Sequence, residues 1–319
     1  VEQSSENSYG DLAMLPKFGR KQEIYKIAGV QVGGQLGENP TVLVGTIFYE
    51  GHKIVSNPEE GLFDKVKAEE LILKQEKLSE ATGNPCFVEV VGRTAKAFHN
   101  YIDFVAEVTR APIIVDSPSV EARIEGCRHA VETGLKDRII YNSINPEITE
   151  KEIDLISEVK LESAIVLPFS GYEFSPEEKL RLLQGNAKQE GLLKKAERAG
   201  IKNVLVDTAV LDVVSTAYAV SSIKVIKEEL GLPSGCSPAN SFDMWQRVKD
   251  FGKLSSRACL SSLCVFVQCF GADFILYGPM RMADVVFPAC AMADAILTYS
   301  NVTEGYEPKD KNIPLYKIF

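Results

Sequence analysis

Histidine is scarce in this chain, with only His52, His99 and His129 in 319 residues. His99 and His129 fall inside helical stretches, where packed or solvated roles fit better than catalysis. His52 lies in the loop after the first strand-like run, so it is the one that reaches the side where loop residues touch ligands. Tight cysteine pairs are also missing. Seven cysteines are scattered, and Cys259, Cys264 and Cys269 recur every five residues on a helix, so they rotate around it without forming one ligand face. Structural zinc sites use close pairs such as C-x-x-C, so no metal site is expected and the thiols read as small buried hydrophobes. An odd number of scattered thiols also suits a cytoplasmic protein. There is no phosphate-binding G-x-x-x-x-G-K motif and no G-x-G-x-x-G fingerprint; Gly33-Gly34 alone is too little.

Basic charge is in deficit. Thirty-five Lys and Arg stand against forty-four Asp and Glu, a net charge of −9, and no basic stripe offers a surface to nucleic acid or anionic lipid. The longest apolar runs, Cys264 to Phe270 and Phe287 to Leu297, are too short or too interrupted for a membrane span. The first thirteen residues are polar and aperiodic, which reads as a disordered leader or cloning remnant. Residues 14–319 then read as a single domain, a size that one large core accommodates.

What is present is a repeating unit of apolar strand and amphipathic helix. After a short hairpin around Tyr25 to Val32, which the order of elements places at a barrel's bottom, strands are expected at Thr41–Ile47, Cys86–Val91, Ile113–Asp116, Ile139–Asn142, Ala164–Leu167, Val204–Val206, Pro233–Cys236 and Phe274–Tyr277. Helices are expected at Asp64–Ala81, Thr94–Val108, Ser119–Thr133, Glu150–Val159, Ala187–Ala199, Val213–Leu230, Phe242–Phe270 and Val285–Thr298. Eight such units predict an α/β fold, a closed (β/α)8 TIM barrel with an N-terminal β-hairpin. The seventh strand, broken by Pro233, Gly235 and Pro238, is the weak one.

Four of these strands run into a polar side chain: Asp116, Asn142, Asp207 and, past the seventh, Asn240. Any one alone is an ordinary helix cap or turn residue. Together they stand where ligands gather, at the carboxyl ends of parallel strands. Ser117 and Glu89 fall at the same level, Glu89 either touching substrate or pairing with Arg93. Two acids and two amides without histidine suit a flat heterocycle with amide-like edges, because a carboxylate accepts paired N–H donors while an amide offers both donor and acceptor.

Gly45-Thr46-Ile47-Phe48-Tyr49-Glu50-Gly51-His52-Lys53-Ile54-Val55, Asn84-Pro85, Tyr141-Asn142-Ser143-Ile144-Asn145 and Gly271 to Pro279 resemble the H subunit of tetrahydromethanopterin S-methyltransferase. They are equally similar to its soluble bacterial relatives, the methylcorrinoid protein:tetrahydrofolate methyltransferases of methylamine and glycine betaine metabolism. The resemblance runs from about Phe18 through Pro279. It implies a pterin held by Asp116, Asn142 and Asp207, with Asn240 near N5 as the catalytic residue; Ser117 and Glu89, from their place at the strand ends, are further substrate-binding candidates. It implies tetrahydrofolate and 5-methyltetrahydrofolate as substrates, with tetrahydromethanopterin as the alternative. The partners it implies are a corrinoid protein and a second copy of the chain in a homodimer. The Asp-x-His-x-x-Gly signature of corrinoid modules is absent, so the cobalamin is expected on that separate protein. Dihydropteroate synthase, another pterin barrel, ranks lower, because Asp207-Thr208-Ala209-Val210-Leu211-Asp212 lacks that family's glycine-rich stretch with Phe and Lys.

Overall fold

The computed structural model describes residues 15–171 and 173–319. The expected leader, residues 1–13, lies outside them. Eight parallel strands close into a barrel: β1 (Val42–Ile47), β2 (Cys86–Val91), β3 (Ile113–Asp116), β4 (Ile139–Ile144), β5 (Ser163–Val166), β6 (Asn203–Asp207), β7 (Ser234–Cys236) and β8 (Phe274–Pro279). They neighbour one another in chain order, and β8 pairs with β1 to complete the ring. The near-continuous apolar strands fit a sheet covered on both faces.

Among the described residues, the longer helices around this ring are α1 (Lys65–Thr82), α2 (Ala95–Val108), α3 (Val120–Glu132), α4 (Glu150–Val159), α5 (Pro176–Gln184), α6 (Leu192–Arg198), α7 (Thr216–Glu229), α8 (Gly252–Cys269) and α9 (Ala283–Thr303). The first five start at side-chain caps. Asp64, Thr94, Ser119, Thr149 and Ser175 each accept a hydrogen bond from the backbone N–H three residues on, satisfying donors that an uncapped helix leaves open.

Two expected helices differ. The segment expected as one helix over Ala187–Ala199 is only α6, and α5 precedes it, the two joined by a small hairpin pairing Gly185–Asn186 with Gln189–Glu190. The long helix expected over Phe242–Phe270 is broken. A short helix Ser241–Met244 and a 3-10 segment Gln246–Phe251 come first, and α8 begins at Gly252, whose φ of +83° is foreign to a continuing helix.

The weak seventh strand is real and short. It pairs at two positions with β6 and two with β8. Its low propensity has a steric reason: a Cβ on Gly235 would come within 2.1 Å of the Phe274 carbonyl oxygen. The neighbouring strand lies too close for any side chain there.

The hairpin, Ile24–Ile27 paired with Val30–Gly33, plugs the bottom as expected. Ile27 and Val32 are buried against the inward-facing Val42, Phe87 and Phe274, each such aliphatic contributing about 1.5–3 kcal/mol by leaving water. A buried ion pair ties it down. Lys227 Nζ reaches Asp273 Oδ1 at 2.6 Å and Oδ2 at 2.7 Å, and also donates to the Gly34 carbonyl at the hairpin's end at 2.9 Å.

The last long helix, α9, extends beyond the expected Val285–Thr298 at both ends. Met280–Thr303 is long and apolar enough, by length and composition, to cross a membrane, with 56% of its apolar window buried inside the fold. Asp294, which interrupts the apolar run in sequence, faces inward and accepts from Thr41 N at 3.0 Å and Asn84 Nδ2 at 2.6 Å. The helix packs against α8 and α1 as the barrel's closing element.

Candidate active site

Side chains alternate along a strand, so the residue two beyond an inward apolar one also points inward. Val44, Phe87, Ile114, Ile140 and Leu205 fill the barrel's interior. Two positions later on the same strands stand Thr46, Glu89, Asp116, Asn142 and Asp207. The interior therefore changes from apolar to polar in one step at the carboxyl end.

The polar layer is interconnected. The Thr46 hydroxyl donates to Glu89 Oε2 at 2.6 Å, and Asn142 Nδ2 donates to Glu89 Oε1 at 3.3 Å. Burial, followed by the negative charges of Asp116 and Asp207, pushes the Glu89 carboxyl up to about 8 against the opposing hydrogen bonds. Burial raises Asp116 to about 6 despite the nearby Arg123 charge and the Ser117 N–H. Burial likewise raises Asp207 to about 6, opposed by the Ala209 N–H, which donates to Oδ1 at 2.8 Å, and by Lys179. The three raised acids thus favour keeping a proton among them, most strongly at Glu89, so the mouth offers carboxylate acceptors, a carboxyl donor and an amide. Such a set matches a neutral ligand with adjacent donors and an acceptor.

Asp116 and Asn142, but not Glu89 or Asp207, also line a cleft of about 600 Å³ together with Pro118, Asn145 and Thr149. This lies within the range of small-molecule sites. Ser117 lines the cleft too, but its hydroxyl accepts from Ser119 N–H at 3.1 Å in the turn leading to α3. Arg123, almost wholly buried, braces that turn: it donates to the Ser117 carbonyl and, at 2.9 Å, to Glu152, which also accepts from the Tyr141 hydroxyl.

Asn240 stands apart from this cluster. It ends a 3-10 turn, Pro238–Asn240, on the exposed rim, where the Ser237 hydroxyl donates to its Oδ1 at 3.2 Å. The expected Glu89–Arg93 pair does not form. Arg93 lies beyond the end of β2 and reaches outward to Glu50 at 2.6 Å, whereas Glu89 faces the interior.

The other candidates resolve simply. His52 accepts from Phe48 N–H through Nδ1 at 3.1 Å and stacks on Tyr49, and burial followed by the Arg281 charge lowers it to about 4. His99 and His129 stack on each other on the helical shell, and His129 meets Asp103 at 2.7 Å. Cys264 is buried as expected, but Cys269 is exposed at the end of α8. Among the described residues, no group of three or more His, Cys, Asp or Glu is placed to hold a metal ion. Sequence reasoning missed Thr46, Arg123 and Lys179. Thr46 was accessible through the two-residue step from Val44; the other two come from helices and have no comparable strand signal.

Fold and mouth together define a (β/α)8 barrel with an acid-rich candidate site at the carboxyl ends of its strands. Its backbone is similar to dihydropteroate synthases from Yersinia pestis (TM-score 0.58, 12% identity, covering 86% of this chain and 98% of that one) and Xanthomonas albilineans (TM-score 0.57, 13% identity, with the same coverages). At that identity the likeness concerns fold. The chain belongs to the tetrahydromethanopterin S-methyltransferase MtrH subunit family, whose family model matches residues 20–309. The H subunit of tetrahydromethanopterin S-methyltransferase from Methanocaldococcus jannaschii is 42% identical, covering 95% of this chain and 99% of the relative. For the H subunit from Methanopyrus kandleri the identity is 39%, with coverages of 93% and 97%.

Proposed function

We propose that this chain is a pterin methyltransferase that holds the head of tetrahydromethanopterin in the barrel mouth. It moves a methyl group between N5 of that pterin and a corrinoid carried by a separate protein. The observation that carries the reading is the layer of Glu89, Asp116, Asn142 and Asp207 in a member of the MtrH subunit family. A reduced pterin presents N3–H and a 2-amino group side by side, with the O4 acceptor adjoining. Asp116 and Asp207 are the acceptors for the donors, protonated Glu89 is a donor for an acceptor edge, and Asn142 serves a mixed edge. The names of the relatives support tetrahydromethanopterin over the tetrahydrofolate expected above. Nothing in the head-group layer itself distinguishes the two pterins, which differ in their tails.

The methyl group moves as a cation equivalent. When the pterin accepts it, the N5 lone pair forms the C–N bond, cobalt keeps the electron pair of the broken Co–C bond, and N5 then releases its proton to water. No covalent intermediate with the protein is required, so the chain contributes orientation and exclusion of water. Asn240, on the rim, is assigned to the reacting nitrogen; in the reverse direction its amide can donate a hydrogen bond to N5 as that nitrogen leaves the methyl group. The corrinoid protein approaches from that open side. The free thiols support a cytoplasmic setting, and the exposed apolar stripe of Met292, Ile296 and Tyr299 along α9 supports pairing with a second copy.

The test mixes purified chain with methylcobalamin and either tetrahydromethanopterin or tetrahydrofolate. Loss of methylcobalamin absorbance with formation of the 5-methylpterin is expected, faster with tetrahydromethanopterin. Pterin binding without methyl transfer, even when a methylated corrinoid protein is supplied, would instead identify a non-catalytic subunit.

A further inference from the structure

Lys179 is fully buried on α5, yet it belongs neither to the core's apolar packing nor to the layer of strand-end side chains. Its Nζ donates to the Thr208 carbonyl at 2.6 Å, its one hydrogen bond among the described residues. Thr208 immediately follows Asp207, so the ammonium sits behind the carboxyl end of β6 while the Asp207 side chain faces the mouth. Burying an ammonium with one neutral acceptor is unfavourable, and an apolar side chain of similar volume would fill the same space without desolvating a charge. A purely structural account therefore leaves the charge unexplained.

We propose that Lys179 is a positioning residue for pterin binding: it is a fixed positive charge behind the barrel wall that keeps Asp207 in its carboxylate, hydrogen-bond-accepting state. This rests on the reading of Asp207 as a pterin ligand. Asp207 is set against Asp116 of β3, which favours its protonation, and the Ala209 N–H, which opposes it, while Glu89 of β2 holds its own proton in part because of the Asp207 charge. The Cys236 thiol of β7 adjoins both Lys179 and Asp207, and burial keeps it well above its ordinary range and so uncharged. Lys179 is consequently the cation set against this concentration of acid on the β6 side, as Arg123 is beside Asp116. Burial lowers Lys179 itself to about 8, with Asp207 holding it up, so the ammonium is present throughout the range in which Asp207 titrates.

The experiment is the affinity for tetrahydromethanopterin measured from pH 5 to pH 8 with wild type, Lys179→Gln, Asp207→Asn and the double variant. Glutamine removes the charge while keeping an N–H donor one bond nearer the backbone; Lys179→Met serves as a second neutral replacement should glutamine fail to fold. Wild-type affinity should fall on the acid side as Asp116 and Asp207 protonate, near pH 6, and the share of that limb missing from Asp207→Asn belongs to Asp207. Removing the charge should move that limb to higher pH by about half to one unit, leaving affinity near pH 8 within about threefold of wild type. In the Asp207→Asn background the same change should move nothing. A limb that stays in place, or a loss equal at every pH, would overturn the role of Lys179. Asp207→Asn binding as tightly as wild type would instead overturn the assignment of Asp207 to the pterin.

Discussion

Glu89→Gln should make the ligand-free protein more stable above neutral pH, because the site stores electrostatic strain. Burial and the charges of Asp116 and Asp207 raise the Glu89 carboxyl from an ordinary 4.5 to about 8. The folded protein therefore keeps a proton that the unfolded chain releases above 4.5. Stability falls as pH rises through the window from 4.5 to about 8, and the full loss is felt above it. At about 1.4 kcal/mol per pH unit, that span sets a ceiling of about 5 kcal/mol. Asp116 and Asp207 share the same field and relax when Glu89 ionises, so about 1–3 kcal/mol is the working expectation. Thr46 and Asn142 donate to different oxygens of Glu89, at 2.6 Å and 3.3 Å, so glutamine keeps the shorter bond by turning its oxygen to Thr46 and gives up the longer one to Asn142. Denaturant unfolding of both proteins between pH 5 and pH 9 is the assay. The curves should lie close together at pH 5 and separate with rising pH, with the variant the more stable at pH 9. A wild type as stable as the variant at pH 9 would show that the mouth is not a strained acid cluster, and the donor role given to Glu89 would fall with it.

Asn240→Ala should slow methyl transfer from the 5-methylpterin to cob(I)alamin at saturating pterin, as followed by stopped-flow absorbance of the cobalt species, because a hydrogen bond donated to the departing N5 strengthens in the transition state. A wild-type rate at saturation would reduce Asn240 to a binding contact. Lys227→Met should destabilise the protein by about 3–5 kcal/mol, since it strands Asp273 without its cation in the barrel floor. Chemical denaturation measures this loss, and Lys227→Met with Asp273→Asn together should recover part of it.

The barrel was legible because its strands are short, almost wholly apolar and separated by periodic helices. The mouth was legible at Asp116 and Asp207 because each ends a buried run and turns inward by simple alternation. Asn142 also faces inward, although β4 continues past it to Ile144. The partner of Glu89 was misread because sequence proximity favoured Arg93, while the fold turns outward at the end of β2 and brings Thr46 and Asn142 from other strands. Helix α5 carried a readable start in Ser175-Pro176-Glu177-Glu178, a capping residue followed by proline and two acids. Passing over it also concealed Lys179, whose place behind Asp207 depends on packing between distant segments. Gly252 similarly marked the break before α8. The internal pairing of Lys227 with Asp273 across forty-six positions had no local signal at all.

Calorimetric titration of tetrahydromethanopterin into wild type, Asp116→Ala and Asp207→Ala at pH 7.5 tests the central claim most directly. Each carboxylate should contribute charge-assisted hydrogen bonds to the pterin head, so each variant should lose about 1.5–3 kcal/mol of binding, or about 10- to 150-fold in Kd. Unchanged affinity in both correctly folded variants would contradict the claim that the barrel mouth reads a pterin.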